Sequence, residues 1–141
     1  MLDVYNTLSQ LEYFIPNEYL HKYARLIERN SRTPIRGNTN KHHILPKAWF
    51  KLTNNAVNNE LNNLVNLVYR DHVLAHYYLC LCTEDPFKYA NQLALMCLED
   101  RKKLFYTDQQ LLHQLPLYNN IYEDFVYKRS NNYKLYKEEQ Q

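Results

Sequence analysis

Glycine is nearly absent from this chain of 141 residues, which contains only Gly37. All-β folds need many glycine turns, so this scarcity argues against them, and it also excludes a glycine-rich loop that binds phosphate. No stretch approaches the roughly 20 apolar residues that cross a bilayer, so we expect no membrane partner. The first thirteen residues lack a basic segment followed by an apolar run, and they do not predict a signal peptide.

Cysteine is also scarce, with an odd number of positions: Cys80, Cys82 and Cys97. The thiols of a C-x-C pair on a helix point to different faces, so this pair does not predict a shared metal or disulfide site. We expect three reduced, buried thiols, which is typical of a cytoplasmic protein.

The remaining composition is that of a folded protein. Hydrophobic residues make up 45% of the chain, so a packed core is expected, and the length favours one domain. Apolar spacing, caps and breakers predict helices over 3–14, 18–30, 70–82, 86–103, 107–115 and 117–138. They predict strands over 42–46 and 64–68, with loops over 31–40 and 51–62. The expected fold class is α+β and mostly helical.

Several of these helices have start signals, among them Asn17 before the second and Asp85-Pro86 at the fourth. Asp3 is a suitable N-cap for the first helix, and Thr107 begins a capping box for the fifth. The amphipathic pattern of the last helix predicts that Ile121, Tyr122 and Phe125 face inward.

Basic residues are concentrated in one segment although the whole chain carries a net charge of only +2. Eight of them oppose the single acid Glu28 between positions 22 and 51, a local net charge of +7. They are Lys22, Arg25, Arg29, Arg32, Arg36, Lys41, Lys47 and Lys51. The spacing of the first three puts them on one helix face. The segment indicates a nucleic-acid partner, although a solvated helix face would have the same pattern.

Four of the six histidines form two close pairs, His42 with His43 and His72 with His76. Positions i and i+4 of a helix lie one above the other, so the second pair can bind one metal ion. Val73 stands where a zincin metalloprotease has glutamate, which excludes that class. Consecutive strand residues point to opposite faces, so one member of the first pair can bind metal while the other remains a base.

The sequences KHHILPKAWF at 41–50 and NLVNLVYRDHVLAHYYL at 63–79 resemble the HNH endonuclease family with its ββα-metal motif, in particular the small phage-encoded members. Three elements in order carry the resemblance: HHIxP, an asparagine nine residues before His72, and H-x3-H. The chain departs from the family pattern at Asp71, where many relatives have glutamate, at Val68, where they have threonine, and in lacking Gly-Gly after the proline.

The resemblance implies one HNH nuclease domain over 1–141. Its ββα-metal core would span 41–82, with a basic helical part over 1–40 and a helical part over 83–141. Within the core, His43 matches the general base that activates water. Asn63 matches the asparagine that clamps the loop and orients the base, and these two form the catalytic set. Arg70 matches an arginine that contacts phosphate, and it joins the basic residues as a candidate for nucleic-acid binding.

His42 and His72 match the metal-ligand positions of the family, and His76 matches the additional helical ligand of colicin-type nuclease domains. Three neutral imidazoles favour one divalent transition ion, Zn²⁺, Ni²⁺ or Mn²⁺. Mg²⁺ stays among the candidates because relatives with an acidic first ligand use it.

The implied function is metal-dependent hydrolysis of DNA phosphodiester bonds, by nicking or by double-strand cleavage. One alternative is a catalytically silent, zinc-stapled module that binds nucleic acid, because a ββα unit of about 40 residues is marginal without metal. A second alternative is an RNase toxin that uses the same site. The C-terminal helices are candidates for a homodimer interface or for target recognition, and the sequence favours neither. If the protein is phage-encoded, we expect it in the host cytoplasm.

Overall fold

The computed structural model describes residues 3–32, 39–100 and 106–131, which form seven α-helices and a two-stranded antiparallel sheet. In chain order the elements are α1 (Val4–Ser9), α2 (Glu18–Arg32), β1 (Thr39–His43), α3 (Lys47–Leu52), β2 (Leu64–Val68), α4 (Tyr69–Leu81), α5 (Phe87–Asp100), α6 (Tyr106–Gln114) and α7 (Tyr118–Ser130). A single 3-10 turn over Leu61–Asn63 leads into β2. The predicted α+β, mostly helical class is confirmed. No helix in the described part of the chain is long and apolar enough to cross a bilayer.

The first predicted helix is too long, because α1 ends at Ser9 rather than near Phe14. Its start is as expected, with the Asp3 carboxylate accepting the N–H of Asn6 at 3.1 Å. Beyond α1 the backbone makes two turn bonds, Leu11 N to Leu8 O at 3.0 Å and Phe14 N to Leu11 O at 3.3 Å, in place of further helical ones. It then bonds to a distant segment: Ile15 N donates to Cys82 O at 2.8 Å, and Phe14 pairs with Thr83.

The first strand lies closer to the N-terminus than the sequence predicts. It spans Thr39–His43 rather than 42–46, and His42 is the partner of Val65 in β2. The second strand, 64–68, is confirmed. Pro46 then precedes α3, a helix that the prediction missed and whose end overlaps the loop expected from residue 51. Apolar contacts stabilise α3, since Phe50 is buried and Trp49 packs against the core. The indole N–H of Trp49 also donates to Glu12 O at 2.9 Å.

The C-terminal helices begin and end at positions that differ slightly from the prediction. The expected cap Thr107 lies inside α6, which begins one residue earlier, and α7 is described as far as Ser130. The predicted ends at 103 and 138 lie outside the described residues. Ile121 is buried as expected, but Tyr122 is 48% exposed. Adjacent residues of a helix point in different directions, so Tyr122 lies beside the buried face, where its ring stacks on the ring of Tyr118.

Helix α4 lies between two apolar clusters and contributes to both. Ala75, Leu79 and the following Cys82 belong to the cluster that α1, α2 and the sheet build. Val73, Tyr77 and Cys80 belong to the cluster that α5, α6 and α7 build. A helix that is apolar on all sides is typically buried, and α4 fits this pattern.

The three cysteines are free thiols, as predicted, but they are not all buried. Cys80 and Cys82 are fully buried and point into different clusters, as the C-x-C spacing predicts. Burial raises the pKa of the Cys82 thiol to about 12. Cys97 is exposed instead, because it lies on the side of α5 that faces a cleft rather than the core.

Candidate metal centre

Three histidines from two elements meet beside the sheet. His42 comes from the end of β1, and His72 and His76 come from the first two turns of α4. Each offers one ring nitrogen, and these atoms lie within 4.8 Å of one another. The Nε2 atoms of His72 and His76 are 3.1 Å apart. Since α4 starts at the residue after β2, the register of the sheet sets where the helical pair meets the strand histidine.

Tyr23 of α2 fixes the tautomer of His42. Its buried hydroxyl donates to Ile44 O at 2.6 Å, so its oxygen is left to accept the Nε2–H of His42 at 2.8 Å. The unprotonated nitrogen of His42 is then Nδ1. Burial first and the neighbouring histidines second lower the pKa of His42 well below its usual value, so the ring is neutral. A neutral imidazole with one oriented lone pair is the form that binds a metal.

Asn40 has the same effect on His72. Its side-chain oxygen accepts the Nδ1–H of His72 at 3.1 Å, which leaves Nε2 to face His76. A histidine that binds a metal through one ring nitrogen usually donates a hydrogen bond from its other ring nitrogen to an oxygen acceptor. Two of the three imidazoles are oriented in this way, and the expected ligand set of three is close enough to hold a metal ion.

His43 lies on the opposite face of β1 and is half-buried. The alternation predicted for the His42–His43 pair is therefore present. The Nε2–H of His43 donates to the side-chain oxygen of Asn59 at 2.8 Å, which leaves Nδ1 unprotonated. The ring also lines the same cleft as the three clustered histidines.

Asn63 ties together the two chain segments that surround His43. Its side chain accepts the N–H of Leu45 at 2.8 Å and donates to Leu45 O and to Asn58 O, at 3.1 and 2.9 Å. Its own carbonyl accepts the N–H of Ile44 at 2.9 Å. The bonds fix the chain after His43 to the loop that carries Asn59, which is the arrangement expected of a clamp. Its effect on activity stays a prediction.

The histidines line a cleft of about 610 Å³ between the sheet, α3 and α5. Three lysines of the basic segment, Lys41, Lys47 and Lys51, line it as well, and all three are exposed. The cleft therefore combines three histidines close enough to bind a metal ion, one further imidazole and a positive wall.

The other predicted nucleic-acid residues lie elsewhere. Lys22, Arg25, Arg29 and Arg32 are exposed on α2, and Arg70 is exposed on α4, but none of them lines this cleft. Two of them form ion pairs, Lys22 with Glu18 at 3.7 Å and Arg29 with Asp71 at 3.5 Å. Arg36 lies outside the described residues.

Sequence reasoning missed the residues that orient the histidines: Tyr23, Asn40 and Asn59. Tyr23 belongs to the apolar stripe of α2, so its position predicts only a core residue. Asn59 lies in an asparagine-rich loop whose composition does not distinguish one asparagine from the next. Comparisons with protein-family models, with curated proteins and with solved structures found no match to this chain.

Proposed function

We propose that the protein is a metal-dependent endonuclease of the HNH type, which hydrolyses phosphodiester bonds in DNA by nicking or by double-strand cleavage. One observation carries the proposal. His43 lies next to a three-histidine cluster, is oriented by its own hydrogen bond to Asn59, and lines the same cleft as the cluster. A structural metal site has no need of a fourth, separately oriented imidazole.

The order of the elements supports assigning a ββα-metal core to this region. Two antiparallel strands are followed at once by a helix, and the candidate ligands come from the first strand and from the helix. His42, His72 and His76 would hold one Zn²⁺, Ni²⁺ or Mn²⁺ ion, or a Mg²⁺ ion. Such an ion supplies Lewis-acid stabilisation of the phosphoryl and leaving oxygens.

His43 is the general base in this mechanism. Its Nδ1 takes a proton from a water molecule, while its Nε2–H remains bonded to Asn59. The water oxygen forms a bond to phosphorus as the bond from phosphorus to the 3′ oxygen breaks. The 3′ oxygen takes up a proton from solvent, so the products carry a 5′-phosphate and a 3′-hydroxyl. The cleft lysines hold the phosphates on either side of the scissile bond.

The decisive experiment follows the conversion of supercoiled plasmid by chelator-stripped protein supplied with Mn²⁺, Mg²⁺, Ni²⁺ or Zn²⁺. We expect His43→Ala to reduce the rate by roughly 10² to 10⁴, the usual contribution of a general base. His21→Ala is the matched control, because His21 stacks on Tyr5 at 3.7 Å and does not line the cleft. Unchanged nicking by His43→Ala, or no nicking with any of the four ions, contradicts the proposal.

A second candidate is a zinc-stapled module that binds nucleic acid without cleaving it. The burial of His42 and His72 favours it, since an ion there would join β1 to α4. In that case metal raises the melting temperature while plasmid and RNA stay intact. Cleavage of RNA alone in the same assay would instead indicate an RNase.

A further inference from the structure

The helix that closes the cleft, α5, presents an apolar stripe to it. Its members are Ala90, Leu93, Ala94, Cys97 and Leu98, at spacings of three, four, seven and eight from the first. This pattern is typical of a helix face that packs against a core. Here only part of the face packs against a core: Ala90 and Leu98 are buried, whereas Cys97 is exposed and Leu93 is 39% exposed at the cleft.

The two walls of the cleft therefore differ in chemistry. The wall built by β1 and α3 carries Lys41, Lys47 and Lys51 beside the histidines. The α5 wall contributes no charged side chain among the described residues that line the cleft. A ligand of this cleft needs one anionic edge and one apolar edge.

An unpaired polynucleotide strand has these two edges. Its phosphates follow one side and its base faces are open on the other, where they can lie on apolar side chains. A duplex keeps its base faces stacked inside and exposes charged backbones on both sides of each groove, so it would place phosphates against the α5 stripe. The cleft volume of about 610 Å³ also lies within the range of about 300–1,000 Å³ typical of sites for small ligands. A few nucleotides of one strand fit this size.

We propose that the cleft binds a single unpaired polynucleotide strand, with phosphates along Lys41, Lys47 and Lys51 and with bases against the α5 stripe around Leu93. This inference rests on the proposed nuclease function and specifies the form of the strand at the site: a plasmid strand is cleaved where it is locally unpaired, which negative supercoiling favours. It makes α5 the element that discriminates between unpaired and paired strands. DNA and RNA share the recognised chemistry, so the test includes both.

The test measures fluorescence anisotropy of one labelled sequence as single-stranded DNA, duplex DNA and single-stranded RNA, with full-length His43→Ala protein to prevent cleavage. We expect single-stranded DNA to bind at least tenfold more tightly than the duplex. Adding Leu93→Ser should weaken binding of the single strand roughly fivefold at every salt concentration, because apolar contact is lost while charge is unchanged. Val126→Ser is the matched control, since Val126 is 40% exposed on α7 and lies outside the cleft.

The salt dependence tests the opposite wall. Lys47→Ala should reduce the slope of log affinity against log salt by about 0.7, the value for one phosphate contact on a single strand. Arg129→Ala should leave that slope unchanged, because Arg129 lies on α7 over the ring of Phe125 and outside the cleft. Equal slopes for the two variants would contradict the placement of the phosphates.

Two other results would overturn the inference: duplex DNA bound as tightly as the single strand, or Leu93→Ser indistinguishable from Val126→Ser. RNA bound at least as tightly as single-stranded DNA supports it. The nuclease proposal fails separately, if wild-type protein binds the single strand but cleaves no substrate with any of the four ions.

Discussion

Two polar clusters, one formed by β1 and α4 and the other between α5 and α7, contrast in composition. The histidine cluster brings together three bases, His42, His72 and His76, and no carboxylate belongs to its ligand set. The other cluster surrounds Lys128 of α7, whose side chain is 8% exposed. Its ammonium lies 2.9 Å from Asp85 and from Asp124. The first cluster consists of imidazole nitrogens, and the second consists of a cation with its counter-ions.

The lysine cluster is complete within the chain. An ammonium has three donors, and Lys128 uses them on Asp85, Asp124 and the side-chain oxygen of Gln92, the last at 3.1 Å. Partial burial lowers the pKa of Lys128, but the hydrogen bonds to the two carboxylates raise it by a larger amount, so the net shift is upward. In the histidine cluster, by contrast, the ring nitrogens contact one another: the Nε2 atoms of His72 and His76 are 3.1 Å apart, and the three candidate ligand atoms lie within 4.8 Å of one another. The contrast teaches that a buried charge bonded to its counter-ions indicates structure, whereas imidazole nitrogens gathered this closely form an arrangement that can hold a metal ion.

The sharpest test of the comparison is the response to metal. We expect His72→Ala to lose the metal-dependent rise in melting temperature and at least 100-fold in cleavage rate, because a ligand is removed. For wild type at a metal concentration of 100 Kd the gain is about 2.7 kcal/mol, a rise on the order of 10 °C. Thermal melts with and without Ni²⁺ measure it. Lys128→Met should keep the full rise, and its loss there would break the distinction.

The lysine cluster should contribute to the free energy of unfolding of the metal-free protein. Lys128→Ala should lower the free energy of unfolding of the metal-free protein by about 1–3 kcal/mol, since Gln92 and two carboxylates lose their partner. The value stays below that of a fully buried pair because Asp85 and Asp124 are 39% and 42% exposed and remain hydrated. Urea denaturation measures the change. Equal stability of the variant and wild type would show that the network contributes nothing.

The hydrogen bond of Asn59 to His43 should affect the reaction without affecting the metal. Asn59→Leu should lower kcat roughly tenfold, because the imidazole loses the acceptor that holds its tautomer, and the metal-dependent melting shift should stay unchanged. Nitrogen NMR shifts of the His43 ring report the tautomer directly. Asn59→Asp keeps an oxygen acceptor and should restore the wild-type tautomer. Asn55→Leu, in the same loop, is the control, and a wild-type kcat for Asn59→Leu contradicts a positioning role.

The two clusters should also lose stability at different pH values. The pKa of His42 is lowered by folding, so its contribution is fully present above about pH 6.5 and declines as pH falls below that value, by up to about 1.4 kcal/mol per pH unit. Burial raises the pKa of Asp124, but the hydrogen bonds from Gln92 and Lys128 outweigh it and lower the pKa. Its contribution is therefore present above about pH 3.9 and lost below it.

Denaturation of the chelator-treated protein between pH 3 and 8 separates the two effects. His42→Gln should flatten the slope just below pH 6.5 and leave the loss below pH 4 in place. An unchanged slope in that variant would mean that His42 is not the group whose protonation destabilises the fold.

The sequence predicts the histidine cluster better than its surroundings. The i, i+4 spacing on a helix and the alternation on a strand are local geometries, so they place His72 with His76 and separate His42 from His43. The bonds that orient these rings connect residues far apart in the chain, Tyr23 to His42 and Asn40 to His72. Periodicity describes only the face of its own element and carries no information about such pairs.

The same reason explains what was missed in the second cluster. A lysine in a predicted amphipathic helix is expected in solvent, and nothing in the sequence around Lys128 indicates that Asp85 lies 2.9 Å away. The early end of α1 is comparable, since the chain beyond it bonds to Cys82 and Thr83.

The pairing of β1 with β2 has a consequence for how this chain tolerates insertions. A slip of one residue in a strand turns every side chain to the other face, so moving β1 by one position would exchange His42 with His43. His43 would then take the buried position beside Tyr23 and join the ligand set, and His42 would take the position of the general base. Residues added to the loop around Asn55 leave the pairing of β1 with β2 intact, because Asn63, which follows that loop, is hydrogen-bonded to Leu45 just after β1. A single residue inserted between His43 and Ile44 would move His42 and His43 by one position along β1 and exchange their faces while changing neither side chain.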